Sequence, residues 1–216
     1  MQRSGPILPA ISKRDGRRAR ATDQSKSRSA VFLFGAAKIE QLSRPPHPIV
    51  AFVGRSNVGK SSLLNRLVGQ RKLARVSKRP GRTQEINFFL IDGSVVFADL
   101  PGYGFARVPR AVQDHWRGLV EGFLSGRGDL RLVVVLIDVR RGLQAADRQL
   151  LDYLRTLRRR ALVVATKADK LTRSDTKKLE ADLAAEHLAE RPVICSATTG
   201  DGIDDLWRRI EAACSE

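Results

Sequence analysis

A chain of 216 residues with a net charge of +16 is long enough for one domain with a sizeable core. Two cysteines, Cys195 and Cys214, exclude a disulfide framework or a zinc pattern and suit a reducing cytosol, where both are expected to be buried and inert. The longest apolar run, Leu132 to Ile137, is far too short to cross a bilayer, and residues 1–30 hold no hydrophobic segment of a secretory signal, so no stable membrane insertion is expected.

Residues 1–28 carry eight Lys and Arg against two Asp, which leaves +10 for the remainder. A basic domain behind a basic tail points to a polyanionic partner, RNA or an anionic membrane surface; solubility in an arginine-using lineage is the plain alternative. The tail mixes Gly5, Pro6, Pro9 and Gly16 with Arg and Ser and has little to bury. Residues 1–30 are therefore expected as a basic extension, disordered when free, ahead of a domain over 31–216. A transit peptide has similar composition, but Asp15, Asp23 and the lack of a clear amphipathic helix speak against one.

Val31-Phe32-Leu33-Phe34 starts the domain as a short strand or docking segment. Pro45-Pro46-His47-Pro48 is a stiff connector into the apolar run Ile49–Val53, a buried strand. Next comes Gly54-Arg55-Ser56-Asn57-Val58-Gly59-Lys60-Ser61, which fits the phosphate-loop pattern G-x-x-x-x-G-K-[ST]. Main-chain N–H groups of such a loop turn inward on phosphate oxygens, and the helix that follows, here Ser62–Val68, aims its positive end at them. Lys60 is placed to reach the β- and γ-phosphates, and the Ser61 hydroxyl to ligate Mg²⁺.

Residues 71–83 are basic, break at Pro80-Gly81 and read as a mobile loop. Thr83 is the only threonine between residues 23 and 155. It is the best candidate between Ser61 and Asp99 for the switch hydroxyl that sees Mg²⁺ and the γ-phosphate together; a turn residue opening a strand is the alternative. Ile86–Ile91 and Val95–Ala98 flank Asp92-Gly93, a hairpin turn signal. Asp99-Leu100-Pro101-Gly102 closes that second strand. Asp99 suits an ion-holding role, on Mg²⁺ through water, with the Gly102 N–H on the γ-phosphate.

Leu132–Ile137, Ala161–Ala165 and Pro192–Cys195 are apolar without alternation, as in parallel strands covered on both faces. Helical faces alternate with them: Leu150, Leu151, Leu154 and Leu157; then Leu179, Leu183 and Leu188 behind a Thr172…Asp175 capping box; then Ile203, Leu206, Trp207, Ile210 and Cys214. Trp207 is expected in the core. Thr166-Lys167-Ala168-Asp169 fits [NT]-K-x-D, in which Asp169 accepts two hydrogen bonds from guanine and the Lys167 stem lies over the base; adenine lacks that donor pair. Cys195-Ser196-Ala197 follows the last strand and offers backbone N–H groups, chiefly that of Ala197, to guanine O6. The alternation makes a three-layer α/β P-loop NTPase domain, expected to hold a mostly parallel six-stranded sheet with one antiparallel edge strand. His47, His115 and His187 are scattered and make no ligand cluster.

Three stretches are distinctive: Gly54 to Asn65, Pro80 to Phe89 and Asp99-Leu100-Pro101-Gly102-Tyr103-Gly104. With them, about residues 31–214 resemble the EngB-type (YihA/YsxC) ribosome-biogenesis GTP-binding proteins, translation-factor-related small GTPases with a Ras-like G domain. The resemblance implies GTP and GDP as ligands, Mg²⁺ as cofactor, and Gly81, Arg82, Gln84 and Glu85 beside Thr83 in the nucleotide site. It also implies a bacterial cytoplasmic protein, or one in an organelle of bacterial origin. Its role there would be assembly of the large ribosomal subunit, with growth and septation disturbed by its loss. An rRNA partner, no DNA partner and a monomer are expected.

Lys60, Thr83 and Gly102 are the catalytic candidates. Tyr103 stands where Ras-type enzymes keep the glutamine that orients the attacking water, and no resident arginine finger is evident, Arg82 and Arg107 being near only in sequence. Slow unaided hydrolysis is therefore expected. Asn57 matches the position that helps hold a K⁺ ion in related potassium-using GTPases, against an ordinary loop hydrogen bond. A different reading of the whole is an RNA-binding assembly or cell-division scaffold whose GTP site is structural. A membrane-associated GTPase using the basic tail is a third.

Overall fold

The structure, a computed structural model, describes residues 27–70, 73, 85–103 and 110–216, with backbone alone for 110–116. The basic tail up to residue 26 and the segment holding Gly81, Arg82, Thr83 and Gln84 lie outside the described residues, as does Arg107.

Among the described residues seven strands and five α-helices follow one another along the chain. They are β1 (Ala30–Ala36), β2 (Ile49–Gly54), α1 (Lys60–Leu67), β3 (Ile86–Ile91), β4 (Val95–Asp99), α2 (Arg110–Ser125), β5 (Leu130–Asp138), α3 (Ala145–Thr156), β6 (Ala161–Thr166), α4 (Arg173–Ala184), β7 (Val193–Ile194) and α5 (Ile203–Ser215). All strands join one sheet in the order β1-β3-β4-β2-β5-β6-β7. The four strands β2, β5, β6 and β7 are parallel to their neighbours, and β4 is parallel to β2. Only β3 runs against them; it pairs antiparallel with β4 on one side and β1 on the other.

The three-layer α/β P-loop domain expected from the sequence is present, with one strand more than the expected six. Val31–Phe34 belongs to β1, which pairs with β3 and takes the edge position. The antiparallel strand β3 is thereby internal. The β3–β4 turn follows from its residues: Asp92 and Gly93 both take positive φ, 48° and 64°, the twist that a tight hairpin needs.

The apolar runs are buried on both faces. In β2, Ile49, Ala51 and Val53 face a core closed by Leu119, Phe123 and Leu124 of α2, Leu151 and Leu154 of α3, and Leu179 and Leu183 of α4. Val50 and Phe52 face the other core, closed by Leu63, Leu64 and Leu67 of α1 and Leu206, Trp207 and Ile210 of α5. Each fully buried Leu, Val or Phe contributes about 1.5–3 kcal/mol relative to exposure, and these two cores hold the sheet between the helices. Trp207 is buried, and its Nε1–H donates to Leu67 O at 2.8 Å. The Arg28 guanidinium lies 3.7 Å from the Trp207 ring centroid and pairs with Asp92 and Glu211. The Thr172–Asp175 capping box closes as expected, with Asp175 N–H donating to Thr172 Oγ1 at 3.2 Å and Thr172 N–H to Asp175 Oδ2 at 3.1 Å.

Because β2, β4, β5, β6 and β7 run the same way, their C-terminal ends open at one rim. Residues 54, 99, 138, 166 and 195 all sit there, at the edge where open α/β sheets bind ligands.

Candidate nucleotide site

The loop between β2 and α1 needs two glycines for two different reasons. Gly59 has φ 108°, in a region that side chains rarely adopt, and it opens α1 without a side-chain cap. At Gly54 the problem is space: a Cβ would stand 2.9 Å from Leu136 O and 3.0 Å from Val58 Cγ1. Asn57 is exposed with φ 62°, and Val58 is buried beneath it. Lys60 and Ser61 fall in the first turn of α1, where backbone N–H groups are unpaired and anions are favoured.

On one flank stands Asp99 at the end of β4, in register with Phe52 of β2. Its carboxylate accepts a hydrogen bond and ion pair from the Lys60 ammonium, with both side chains largely buried. Leu100 N–H donates to Phe52 O at 3.0 Å, which fastens the Asp-Leu-Pro-Gly turn to the sheet. The chain then lies along the phosphate loop. Tyr103 N–H donates to Gly54 O at 3.2 Å, and Ser56 N–H to Tyr103 O at 3.1 Å. A Cβ at Gly102 would be 3.4 Å from both Gly54 O and Ser56 N. The Tyr103 side chain turns away, to Asp147 of α3, where its O–H donates at 2.6 Å. Burial first, and then this bond to a carboxylate, push the phenol far above its ordinary value.

On the other flank Thr166, buried at the end of β6, lies with Oγ1 2.5 Å from Val58 O and 3.0 Å from Ile137 O. Lys167, with φ 67°, crosses over the phosphate loop and donates from Nζ to Asn57 O at 2.6 Å and to Asp138 Oδ2 at 2.9 Å. Asp138, at the end of β5, also accepts from Arg140 N, Nε and Nη2. Arg140 foremost, and Lys167 with it, hold its carboxyl well below the ordinary range against the cost of burial.

Asp169 is oriented by Ser196, whose Oγ lies 2.7 Å from Asp169 Oδ1. That bond chiefly, and then Lys170 at 3.2 Å, lower the carboxyl's pKa. Ala168 N–H donates to Cys195 O at 3.0 Å, so the 166–169 and 195–197 turns form one wall. Ser196 Oγ further accepts from the N–H groups of Thr198 and Thr199 at 3.1 and 3.2 Å. Among the described residues the Ala197 N–H has no partner, which leaves it available to an acceptor.

The structure thus brings together Gly54–Ser61, Asp99–Gly102, Thr166–Asp169 and Cys195–Ala197. Glu85 stands apart, exposed just before β3 with its carboxylate over Gly35 of β1. Two residues at this rim went unnoticed in the motifs. Asp138 could have been found: like Asp99 it is a carboxylate closing an apolar run. Asp147 carries no such signal. Among the described residues no group of three or more His, Cys, Asp or Glu gathers to cage a metal. The oxygen donors present, the Ser61 hydroxyl and the Asp99 carboxylate, fit a hard ion that completes its shell with water and phosphate.

Residues 49–167 match the family model described as a 50S ribosome-binding GTPase. A probable GTP-binding protein EngB of Geobacter sulfurreducens is 46% identical over 193 residues, covering 87% of this chain and 92% of that protein. One from Caulobacter vibrioides is 43% identical over 188 residues, covering 85% and 82%. Among solved structures, a probable GTP-binding protein EngB aligns with a TM-score of 0.65 at 28% identity, over 77% of this chain and 98% of that one. Era, solved in complex with MgGDPNP and nucleotides of 16S ribosomal RNA, aligns with a TM-score of 0.63 at 27% identity, over 78% of this chain and 57% of Era.

Proposed function

Because the chain belongs to the EngB family of GTP-binding proteins, a GTPase family, we propose that it is a GTP-driven switch in assembly of the large ribosomal subunit, acting as a monomer in the bacterial cytoplasm and needed for normal septation. The observation that carries this reading is one loop braced from two sides. Gly54–Ser56 is bonded to Tyr103, and Asn57–Val58 to Lys167 and Thr166. A ligand in that loop touches both a base-reading wall and the turn that ends in Gly102.

On binding GTP, Lys60 exchanges Asp99 for the β- and γ-phosphates. Asp169 accepts from guanine while Ala197 N–H meets its O6. Ser61 and Thr83 would hold Mg²⁺ directly and Asp99 through water, and the ion would neutralise charge on the transferring phosphoryl group. Gly102 N–H contacts the γ-phosphate, so the turn reports whether the third phosphate is present. Tyr103 offers no carboxamide to orient water, which makes unaided hydrolysis slow. A K⁺ ion held by Asn57 is part of this reading; equal hydrolysis rates in KCl and NaCl, unchanged by Asn57→Ala, would remove it.

The ribosomal partner is supported by the description of the matching family model, by Era's 16S rRNA complex, and by a net charge of +16. Among the described residues no helix is long and apolar enough to cross a membrane. The test is co-sedimentation with ribosomal subunits in GDP, in a non-hydrolysable GTP analogue and without nucleotide. Association with the large subunit is expected to be strongest with the analogue; equal association in all three would sink the switch. The net charge of +16 also suits one rival, an RNA-binding assembly or cell-division scaffold with a structural GTP site. Multiple-turnover phosphate release, alone and with large subunits, separates the two.

A further inference from the structure

The geometry points to Asp147, on helix α3, as a positioning residue for the GTPase reaction, acting through Tyr103 to hold the Gly102 amide beside the phosphate loop. It rests on the reading of Gly102 as a γ-phosphate donor.

Asp147 is 1% exposed, yet nothing about packing a helix demands a buried carboxylate. Its two oxygens are divided. Oδ2 accepts from Gln144 N–H at 2.8 Å, closing the first turn of α3. Oδ1 accepts from the Tyr103 hydroxyl at 2.6 Å. Capping accounts for the first bond and would be served as well from a solvated position. The second reaches across 44 residues of sequence to Tyr103, whose backbone N–H and C=O are both hydrogen-bonded to the phosphate loop.

Tyr103 is therefore pinned at three atoms. Its N–H and C=O hold Gly54 and Ser56, and its hydroxyl holds a helix set in the core on that face of the sheet by Leu151 and Leu154. Gly102, one residue earlier, inherits the placement. A phenol pushed far up in pKa by burial and by the neighbouring carboxylate remains a hydrogen-bond donor at any working pH. A group held this way adds affinity by removing the ordering cost that a free turn would meet on each binding event. The gain falls on the ligand that uses Gly102. GTP has the third phosphate and GDP does not, so Asp147 sets the preference between them.

The test uses the full chain in three variants, Tyr103→Phe, Asp147→Asn and the double. Asparagine keeps an acceptor for Gln144 N–H, so the cap survives. Affinities for GDP and for a non-hydrolysable GTP analogue are measured by fluorescence titration, single-turnover hydrolysis by phosphate release, and stability by thermal unfolding. Each single variant is expected to weaken analogue binding and slow single-turnover hydrolysis roughly three- to tenfold, while GDP affinity stays within about twofold and the double variant is no worse than either single. A purely structural role would instead lower GDP affinity and thermal stability and leave the ratio of the two affinities alone. That outcome overturns the inference, as does a double variant in which the two effects add. If Asp147→Asn does not fold, Tyr103→Phe decides by the same ratio. A Gly102→Pro control, which removes the amide N–H that alanine would keep, separates the failures. If its ratio also stays at the wild-type value, the reading of Gly102 itself is wrong; if its ratio moves and those of the other variants do not, only the role of Asp147 falls.

Discussion

Lys60 at the start of α1 and Asp99 at the end of β4 are paired to each other, although each is chemically suited to a ligand, one to phosphate and the other to a hydrated cation. The pair keeps both charges satisfied while they are out of water. Removing one partner leaves a buried charge alone, which costs about 3–5 kcal/mol.

Lys60→Met is expected to lose nucleotide binding and also to destabilise the nucleotide-free protein by about 3 kcal/mol. Adding Asp99→Asn should recover most of that stability and none of the binding. Thermal unfolding with and without GDP reads both quantities. A double variant as unstable as Lys60→Met would show that the pair does not carry the charge balance of the empty loop.

Asp169, the proposed acceptor for the base, is oriented by Ser196. Asp169→Asn replaces an acceptor by a mixed group. GTP affinity should fall roughly 100-fold or more, and xanthosine nucleotides, with a carbonyl where guanine has its amino group, should bind in compensation. The pH dependence follows from the lowered carboxyl pKa. A depressed carboxyl is ionised above its ordinary range and stops contributing only as pH falls through the lowered value. Asp169 should then leave GDP affinity flat between about pH 5 and pH 8. An inflection near pH 6 that disappears in Asp169→Asn would contradict this.

Asp138 tethers the ammonium of Lys167, which in turn bonds Asn57 O. Asp138→Asn weakens the tether without touching either end of the nucleotide. GDP and GTP affinities should fall together, about three- to tenfold, with their ratio unchanged. Isothermal titration with both nucleotides checks it. A selective loss for GTP would place Asp138 on the phosphate side instead.

Cys195 is fully buried where the 166–169 and 195–197 turns meet, and burial pushes its thiol up to about 12. At about pH 8 it should resist alkylation in the folded protein and react at once in denaturant. Mass spectrometry after timed iodoacetamide treatment distinguishes it from the partly exposed Cys214. Rapid native labelling of Cys195 would mean that the wall of residues 195–197 opens readily.

Much of the rim was legible from contiguous residues. Gly54–Ser61, Asp99–Gly102 and Thr166–Asp169 each announce themselves within a few positions, because backbone turns and strand ends are local. The structure brings these stretches together with 195–197 around one loop. Less legible was α2: Leu119, Phe123 and Leu124 repeat at helical spacing, but Gly118 and Gly122 dilute the propensity over that stretch. The edge strand β1 was ambiguous because Val31, Phe32 and Leu33 remain substantially exposed, so their apolar character did not specify where they would pair.

The layer architecture, the phosphate loop and the Thr166–Asp169 turn proposed to read the base were all legible from the residues alone. Each follows from runs of residues that bury two faces or from glycines that permit a particular turn. Which groups meet across that loop follows from the packing: Lys60 with Asp99, Lys167 with Asp138, Tyr103 with Asp147. These partners lie 39, 29 and 44 residues apart. Their meeting depends on the order of strands in the sheet and on which face each helix covers. A single carboxylate at a strand end or in a helix's first turn carries no mark of the side chain it will bind; the packed sheet supplies that partner.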